Sequence, residues 1–179
     1  MHYNYQFLFT YLNKFNQVNL DRLNNNVQLI LRNYENEFSN YEIKKFVNYC
    51  KKNKRKIYLS NDINRALKFG FDGVYIPAFN KLLKNFRLKI KKNFLILGSA
   101  HNFKELLIKE KQGAQIIFVS PLFETNKYNK NLGVVKFNLL TKNSKRMIIA
   151  LGGINKKNLR KLNLLKINGF AGISYYKKN

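Results

Sequence analysis

The sequence is poor in acidic residues and in cysteine, and it has no long apolar run. It carries 9 Asp and Glu against 34 Lys and Arg, which gives a formal net charge of +25. Its one cysteine, Cys50, excludes a disulfide framework and a cysteine-rich zinc site, and we expect it to be buried. No segment has the unbroken apolar length of a membrane span, and residues 1–10 lack the features of a signal peptide. We therefore expect a cytoplasmic protein with no membrane partner.

The excess of basic residues is spread over the whole chain rather than gathered in one stripe. Basic proteins attract polyanions, but the sequence has no zinc-ligand spacing, no aromatic strand of the RNA-binding type and no basic heptad region. The chain is also rich in Asn, Ile, Tyr and Phe, which is typical of a compositional bias of the source genome. We therefore expect no nucleic-acid partner and expect the charge to serve anionic small molecules.

Apolar runs alternate with amphipathic stretches along the whole chain of 179 residues, with no linker or composition shift. In the amphipathic stretches apolar residues recur at three- and four-residue spacing, which predicts helices, most clearly over 40–52, 61–69, 102–110 and 155–165. The apolar runs are typical of strands buried on both faces. The predicted strands are Tyr5–Leu12, Val27–Arg32, Lys56–Ser60, Gly73–Ile76, Phe94–Ser99, Ile116–Ser120, Met147–Leu151 and Gly169–Ser174.

Eight alternations of strand and helix favour a (β/α)₈ TIM barrel over a doubly wound sheet, although periodicity alone does not decide whether the sheet closes. The hydrophobic content of 45% fits one globular domain over residues 1–179. This is a short chain for such a barrel, so we expect short helices. Because only residues 175–179 follow the eighth strand, we also expect the last helix to be missing or vestigial.

In such a barrel the chemistry lies at the carboxyl ends of the strands and in the loops that follow them. Polar or glycine residues follow five of the predicted strands at this end. They are Arg32, Asn61 and Asp62, Ser99 and His101, the loop 120–133, and Gly152 and Gly153. The sequence therefore predicts one candidate site at this rim.

Two glycines, Gly152 and Gly153, separate the seventh strand from the predicted helix after it. One interpretation is a tight turn. The other is a phosphate site, because residues without side chains expose backbone N–H groups near a helix start that carries partial positive charge. The loops after the seventh and eighth strands are the usual phosphate site of such barrels, which favours the second interpretation.

Four segments occur in the order and spacing of the thiamine phosphate synthase family, which also contains the thiazole tautomerases. They are SNDINRALKFGFDGVYIP (60–77), LGSAHNFKEL (97–106), GAQIIFVSPLFET (113–125) and IIALGGINKKNLRKL (148–162). The sequence resembles this family over residues 5–174. The resemblance implies a Mg²⁺-assisted coupling of hydroxymethylpyrimidine diphosphate with thiazole phosphate. The products are thiamine phosphate and pyrophosphate.

The chemistry implied by the resemblance depends on the leaving group. Departure of pyrophosphate leaves a stabilised pyrimidine cation, which the thiazole nitrogen then attacks. The protein therefore needs cations and Mg²⁺ on the leaving group more than it needs a strong base.

The resemblance assigns roles to the residues that match the family's motifs. Arg32, Ser99 and Thr125 are the implied catalytic residues. The resemblance also implies that Arg32, Asn61 and Ser99 bind the diphosphate and that Thr125 binds a substrate phosphate. Lys127 is the implied lysine of the sixth loop, with Lys130 as an alternative.

The resemblance also assigns the second phosphate and the metal. Gly152 and Gly153 would bind the thiazole phosphate, with Ser174 as a further candidate. Asp62 matches the first magnesium aspartate. Asn80 occupies the place of the second, where a neutral amide should lower the affinity for Mg²⁺.

Several positions depart from the family's pattern. Ile30 and Tyr34 replace a glutamine and a lysine of the diphosphate site. Pro121 stands where tautomerases carry a histidine, and proline has no titratable group, so a thiazole tautomerase-like isomerase is the weaker alternative. The replaced residues also leave open a non-catalytic barrel that binds a phosphate or thiamine-related ligand. A homodimer is a further possibility.

Non-catalytic roles are open for several of these residues. Arg32 could pair with Glu35 or Glu37, and Asp62 could cap the helix after the third strand. We interpret His101 as a helix-start histidine that bonds the backbone and Asp72 as a turn residue. Packing is the expected role of three tyrosines, namely Tyr34, Tyr75 and Tyr128.

Overall fold

Eight parallel strands close into a barrel in chain order. The computed structural model describes residues 5–32, 38–83, 93–125, 130–172 and 174–176. Each strand pairs with the next, and the last pairs with the first. The predicted TIM barrel is therefore confirmed. The strands are β1 (Phe7–Leu12), β2 (Val27–Leu31), β3 (Ile57–Ser60), β4 (Gly73–Ile76), β5 (Leu95–Ala100), β6 (Ile116–Val119), β7 (Met147–Leu151) and β8 (Gly169–Ala171).

The helices on the outside of the barrel are short, as predicted. Four of them begin at a side-chain oxygen that accepts a hydrogen bond from a backbone N–H of the first turn, which is the usual role of Asn, Ser and Asp at this position. Within the described ranges no helix has the length and hydropathy that a bilayer crossing requires. The α-helices are α1 (Gln17–Asp21), α2 (Asn40–Lys52), α3 (Ile63–Phe69), α4 (Phe103–Lys111) and α5 (Gly133–Thr141).

The helix predicted over 155–165 is wrong in type and extent. The segment contains a 3₁₀ helix over Leu159–Leu164. The Oδ1 atom of Asn155 accepts hydrogen bonds from the N–H groups of Lys157 and Asn158 at 2.9 and 3.2 Å. Asparagine side chains that bind nearby backbone groups compete with α-helix formation, so the chain turns before it enters a helix.

Among the described residues after β8 there is a 3₁₀ turn and no α-helix, which agrees with the expectation of a missing or vestigial last helix. The eighth strand ends at Ala171 rather than at Ser174, and a 3₁₀ turn over Ser174–Tyr176 follows it. Tyr175 and Tyr176 pack against the Phe170 ring, with centroid distances of 5.1 and 6.4 Å. These rings cover the part of β8 that a final helix covers in a longer barrel.

The barrel interior is filled mainly by aromatic and branched side chains. Phe118 contacts the rings of Phe9 and Tyr75 at centroid distances of 4.9 and 5.5 Å. The Tyr11 and Tyr75 hydroxyl groups are 3.2 Å apart. A second apolar layer, which includes the buried Cys50, lies between strands and helices, so the expectation for Cys50 is confirmed. The interior is a packed core rather than a channel.

Asp72 lies at the opposite end of the barrel from the predicted site. Its carboxylate accepts a hydrogen bond from the backbone N–H of Ile57 at 3.0 Å and pairs with the Lys56 ammonium at 2.6 Å. These contacts tie the start of β3 to the turn that leads into β4, which is the structural role that we expected for Asp72.

Candidate active site

The closed barrel brings the predicted site residues to the rim at the carboxyl ends of its strands. Because all eight strands are parallel, the loops that follow them meet at this end. The described residues at the rim are Arg32 after β2, Asn61 and Asp62 after β3, Asn80 after β4, Ser99 on β5, Thr125 after β6, and Gly152 and Gly153 after β7.

The Arg32 side chain packs on the ring of Tyr11 of β1. Its backbone N–H donates to the Leu12 carbonyl at 2.8 Å. Its guanidinium carbon lies 5.1 Å from the centroid of the Tyr11 ring, within the range of a cation–π interaction. The alternative partners Glu35 and Glu37 lie outside the described residues, as does Tyr34.

Two of the predicted site residues, Asn61 and Asn80, are in direct contact. The Asn80 Nδ2 atom donates to Asn61 Oδ1 at 2.7 Å. Asn61 has a φ of +61°, a left-handed conformation that asparagine tolerates better than most residues. Its backbone N–H donates to the carbonyl of Tyr75 at 2.8 Å, so the end of β4 fixes this turn. The contact joins the loops after β3 and β4.

Asp62 caps α3, which is one of its two expected roles; the other is that of a magnesium ligand. Its Oδ1 atom accepts a hydrogen bond from the Arg65 N–H at 2.9 Å. No described group donates a hydrogen bond to its second oxygen, Oδ2. One carboxylate therefore serves as a cap and keeps an oxygen for a ligand.

The residues at the rim fit a Mg²⁺ ion that takes most of its ligands from a substrate. Among the described residues no three His, Cys, Asp or Glu side chains gather into a metal-binding group. Asp62 offers one carboxylate oxygen, while the Asn80 Oδ1 atom already accepts a hydrogen bond from the Leu82 N–H at 3.1 Å. Mg²⁺ often binds through one or two carboxylates together with substrate phosphates and water.

Ser99 faces the barrel interior at the carboxyl end of β5. Side chains alternate along a strand, so Ser99 lies on the same face as the interior residue Leu97. It pairs with Phe118 in the β5–β6 register and is 5% exposed. Within the part of the chain that the structure describes, its hydroxyl group has no hydrogen-bond partner. A substrate oxygen at the rim could therefore take that role.

His101 connects the ends of β5 and β6. Its Nδ1 atom lies 2.9 Å from the Ser120 carbonyl oxygen, and its backbone N–H donates to Glu105 Oε2 at 2.8 Å. This is the backbone contact expected for a histidine at a helix start.

The glycines after β7 make the tight turn that was one of the two interpretations. Gly152 and Gly153 have φ values of +96° and +68°. A Cβ atom on Gly153 would lie 2.4 Å from the Glu124 carbonyl oxygen, and one on Gly152 would lie 2.9 Å from the Pro121 Cα atom. The loop after β6 therefore packs directly on these two residues and leaves no room for a side chain.

The same turn also retains the features of an anion site. The carbonyl oxygen of Gly152 accepts a hydrogen bond from Phe123, and that of Gly153 accepts one from Asn158. The N–H groups of both glycines donate to no described residue. Consecutive N–H groups in left-handed turns form concavities that bind anions. The expected support from a helix dipole is wrong, because the next helical residue is Leu159.

The remaining predicted residues are described only in part. Thr125 is partly buried at the end of the described segment of the sixth loop, and Lys130 is exposed just after the gap. Lys127 and Tyr128 lie outside the described residues. The side chain of Ser174 is also outside the description. Their proposed roles stay predictions.

Comparison with known proteins identifies the family. A family model described as thiamine monophosphate synthase matches residues 15–175. The chain belongs to this family. It is 33% identical over 127 residues to the thiamine-phosphate synthase of Prochlorococcus marinus subsp. pastoris, which covers 70% of the chain. It is 25% identical over 119 residues to that of Lactococcus lactis subsp. cremoris, which covers 65% of the chain.

The chain spans 36% of the Prochlorococcus protein and 55% of the Lactococcus protein. Among solved structures, it is similar to the thiamine phosphate pyrophosphorylase of Pyrococcus furiosus. That similarity has a TM-score of 0.72 at 20% identity and covers 94% of this chain and 86% of the other. It supports the barrel fold.

In this member of the thiamine monophosphate synthase family, Lys109 is a buried cation that the sequence analysis missed. Lys109 on α4 is fully buried, and its Nζ atom donates to the carbonyl oxygens of Pro77 and Asn80 at 2.7 and 2.6 Å. Burial lowers its pKa to about 8. A lysine in an amphipathic helix is usually exposed, so the residue type did not predict burial. Its position could have predicted burial, because it falls three residues after the buried Leu106 on the same helix face.

A groove of about 520 Å³ lies at the other end of the barrel. Val135 and Leu139 of α5 and the residues that precede β7 and β8 line it. None of the predicted site residues contributes to this groove, so it is separate from the candidate active site of the family.

Proposed function

We propose that the chain catalyses the Mg²⁺-assisted coupling of hydroxymethylpyrimidine diphosphate with thiazole phosphate, which yields thiamine phosphate and pyrophosphate. The observation that carries this proposal is the match to the thiamine monophosphate synthase family over residues 15–175. The rim of the barrel supports it, because amide, hydroxyl, carboxylate and bare backbone groups lie together at the strand ends, where such barrels place their chemistry.

The proposed diphosphate site lies between the ends of β2, β3 and β5. Arg32 supplies a fixed positive charge, while Asn61 and Ser99 supply an amide and a hydroxyl group for the phosphate oxygens. These groups stabilise the negative charge that develops as pyrophosphate departs, and such fixed electrostatic stabilisation is usually the largest contribution to catalysis. When bound beside Asp62, Mg²⁺ would neutralise part of the charge on the leaving group.

The proposed thiazole phosphate site is the turn after β7. The N–H groups of Gly152 and Gly153 would hold the phosphate as a nest of backbone donors. This places the second substrate on the side of the rim next to the sixth loop. Thr125 of that loop would contact a substrate phosphate, as the family resemblance implies.

A specific observation favours a second candidate, a barrel that binds these ligands without turnover. Ile30, at the place of a family glutamine, is a fully buried side chain of the barrel interior, and Asn80 replaces a magnesium aspartate. The first change removes a polar group that would contact the diphosphate, and the second removes a negative charge from the metal site. An isomerase of the tautomerase type is less favoured, since Pro121 has no proton to transfer.

Turnover and binding measurements separate the two candidates. The purified chain is incubated with both precursors and Mg²⁺, and thiamine phosphate is measured by conversion to its fluorescent oxidation product. We expect product with the wild type and a loss of about 100-fold or more for Arg32→Ala and Ser99→Ala. Lys111→Ala, on the exposed surface of α4, is the control. Calorimetric binding of thiamine phosphate without any product would favour the second candidate instead.

The proposed partners are two phosphorylated small molecules, and the proposed location is the cytoplasm, where such phosphorylated metabolites occur. A homodimer stays a prediction. Light scattering of the purified chain, in moderate salt to screen its charge, tests it through the molar mass.

A further inference from the structure

Lys109 of α4 and Gln112, the residue that caps the carboxyl end of this helix, hold the loop that follows β4. Lys109 Nζ donates to the carbonyl oxygens of Pro77 and Asn80, and also to Gln112 Oε1 at 2.9 Å. The Nε2 atom of Gln112 donates to the carbonyl oxygens of Asn80 and Leu82 at 3.0 and 2.9 Å. The two residues are three positions apart and therefore share one face of the helix. Together they bind three carbonyl groups of one loop.

The packing of α4 on β5 makes room for this arrangement. A Cβ atom on Gly98 of β5 would lie 3.0 Å from the Cβ, Cγ and Cδ atoms of Lys109. The lysine stem therefore runs across the glycine to reach the loop after the neighbouring strand. Its three ammonium protons meet three oxygen acceptors, so this buried charge is fully hydrogen-bonded.

Lys109 and Gln112 together form a clamp on the loop after β4, and this clamp is connected to the candidate site through Asn80. The backbone carbonyl of Asn80 binds the clamp, while its side chain donates to Asn61 Oδ1 at 2.7 Å. Asn61 directly precedes Asp62 and is itself held in a left-handed conformation. A shift of the loop after β4 would therefore move Asn80 away from Asn61 and leave the turn after β3 without this contact.

We propose that Lys109 is a positioning residue for the diphosphate side of the site. Its ammonium group fixes the loop over residues 77–82, and the loop keeps the Asn80 amide against Asn61. The thiazole phosphate side, at Gly152 and Gly153, makes no contact with this clamp in the described chain. The consequence for diphosphate binding rests on the proposed function, whereas the rigidity of the loop does not.

The test compares Lys109→Met with Lys111→Met. Methionine keeps the length of the stem and removes the donors, while the control removes an exposed charge from the same helix. Hydrogen exchange of the segment 77–83 is the first readout. Loss of a hydrogen-bonded charge is expected to speed exchange there about tenfold or more in Lys109→Met and to leave the control unchanged.

Calorimetry is the second readout. We expect inorganic pyrophosphate with Mg²⁺ to bind about tenfold more weakly to Lys109→Met, while thiazole phosphate binds within about twofold of the wild type. A purely structural role would weaken both ligands alike. If methionine prevents folding, Lys109→Gln replaces it, because its side chain is polar, uncharged and one bond shorter than that of lysine.

The outcomes separate the two proposals. Unchanged exchange over 77–83 overturns the positioning role, and so does faster exchange with pyrophosphate binding unaltered or with both ligands weakened equally. If the wild type binds neither pyrophosphate nor thiazole phosphate, the proposed function fails. The exchange measurement then decides alone whether Lys109 fixes the loop.

Discussion

Gly153 meets two separate constraints at the residue scale. Its φ of +68° is unfavourable for any residue that carries a Cβ atom. In addition, an added Cβ atom would lie 2.4 Å from the Glu124 carbonyl oxygen. Gly113 has a similar φ of +82°, but a Cβ atom there would meet only Ile96 Cδ1, at 3.8 Å. A side chain at Gly113 would thus cause backbone strain alone, whereas one at Gly153 would cause both backbone strain and steric overlap.

Gly153→Ala should therefore cost more than Gly113→Ala. We expect the free energy of unfolding to fall by about 3 kcal/mol for the first and by about 1 kcal/mol for the second, because only the first adds overpacking to strain. Urea unfolding measures both. Equal losses would show that the loop after β6 yields freely, which contradicts the tight packing described here.

Cys50 provides a pH-dependent prediction. Burial raises the pKa of its thiol to about 12. In the unfolded chain the thiol ionises from about pH 8.5 upward, so the unfolded state loses its proton first and stability falls as the pH rises from there towards 12. At pH 10 the loss should be about 1–2 kcal/mol.

The comparison with Cys50→Ala isolates this contribution, because the other titrating groups are common to both proteins. The difference in the free energy of unfolding between wild type and variant should shrink by that amount from about pH 8 to about pH 10. A difference that does not change with pH would contradict the buried thiol. Slow reaction of the native thiol with an aromatic disulfide reagent is an independent check.

At the scale of elements, Asp62 unites a helix cap with a proposed metal ligand. Asparagine caps helices about as well as aspartate, but it carries no charge. The substitution Asp62→Asn therefore keeps the hydrogen bond to Arg65 and removes the carboxylate. Asp62→Ala removes both.

We expect Asp62→Asn to stay within about 0.5 kcal/mol of the wild type in stability, and Asp62→Ala to lose about 1 kcal/mol. Both should need about tenfold more Mg²⁺ for pyrophosphate binding, because one hard oxygen ligand is lost. Thermal unfolding and calorimetry supply the two readouts. If Asp62→Asn left the Mg²⁺ requirement unchanged, Asp62 would be a cap alone.

At the scale of the whole molecule, the net charge of +25 destabilises the folded state through repulsion between like charges. Within the described ranges one ion pair is formed, between Lys56 and Asp72. Like charges are closer in the folded chain than in the unfolded chain, so their repulsion favours unfolding. Added salt screens this repulsion, since the Debye length falls to about 10 Å at 0.1 M.

Stability should therefore rise with ionic strength. Between about 20 and 200 mM sodium chloride we expect the free energy of unfolding to increase by about 1 kcal/mol or more. Choline chloride should act in the same way, because screening does not depend on the cation. A stability that falls with salt would mean that attractive pairs dominate the surface.

The barrel could be predicted from the sequence because its signal is repeated along the chain. Each strand is an apolar run, and each loop falls at a change of pattern, so small errors at strand ends did not alter the architecture. The residues at the rim could be listed for the same reason. The resemblance to a family added their roles, which periodicity does not contain.

The features that the sequence analysis missed depend on contacts between distant segments. Carbonyl groups of the loop after β4 accept the protons of the buried Lys109, and its spacing from Leu106 indicates the buried face of α4 but not these distant partners. The segment after Gly153 has helical periodicity, but the side chains of Asn155 and Asn158 hold it in a turn. In both cases hydrogen bonds of particular side chains outweigh the local pattern.

A crystal structure of the chain with thiamine phosphate, pyrophosphate and Mg²⁺ is the decisive measurement for the proposed site. We expect the phosphate of thiamine phosphate on the N–H groups of Gly152 and Gly153, and pyrophosphate between Arg32, Asn61 and Ser99. Ligands in the groove beside α5, or a rim that stays empty at saturating ligand, would contradict it.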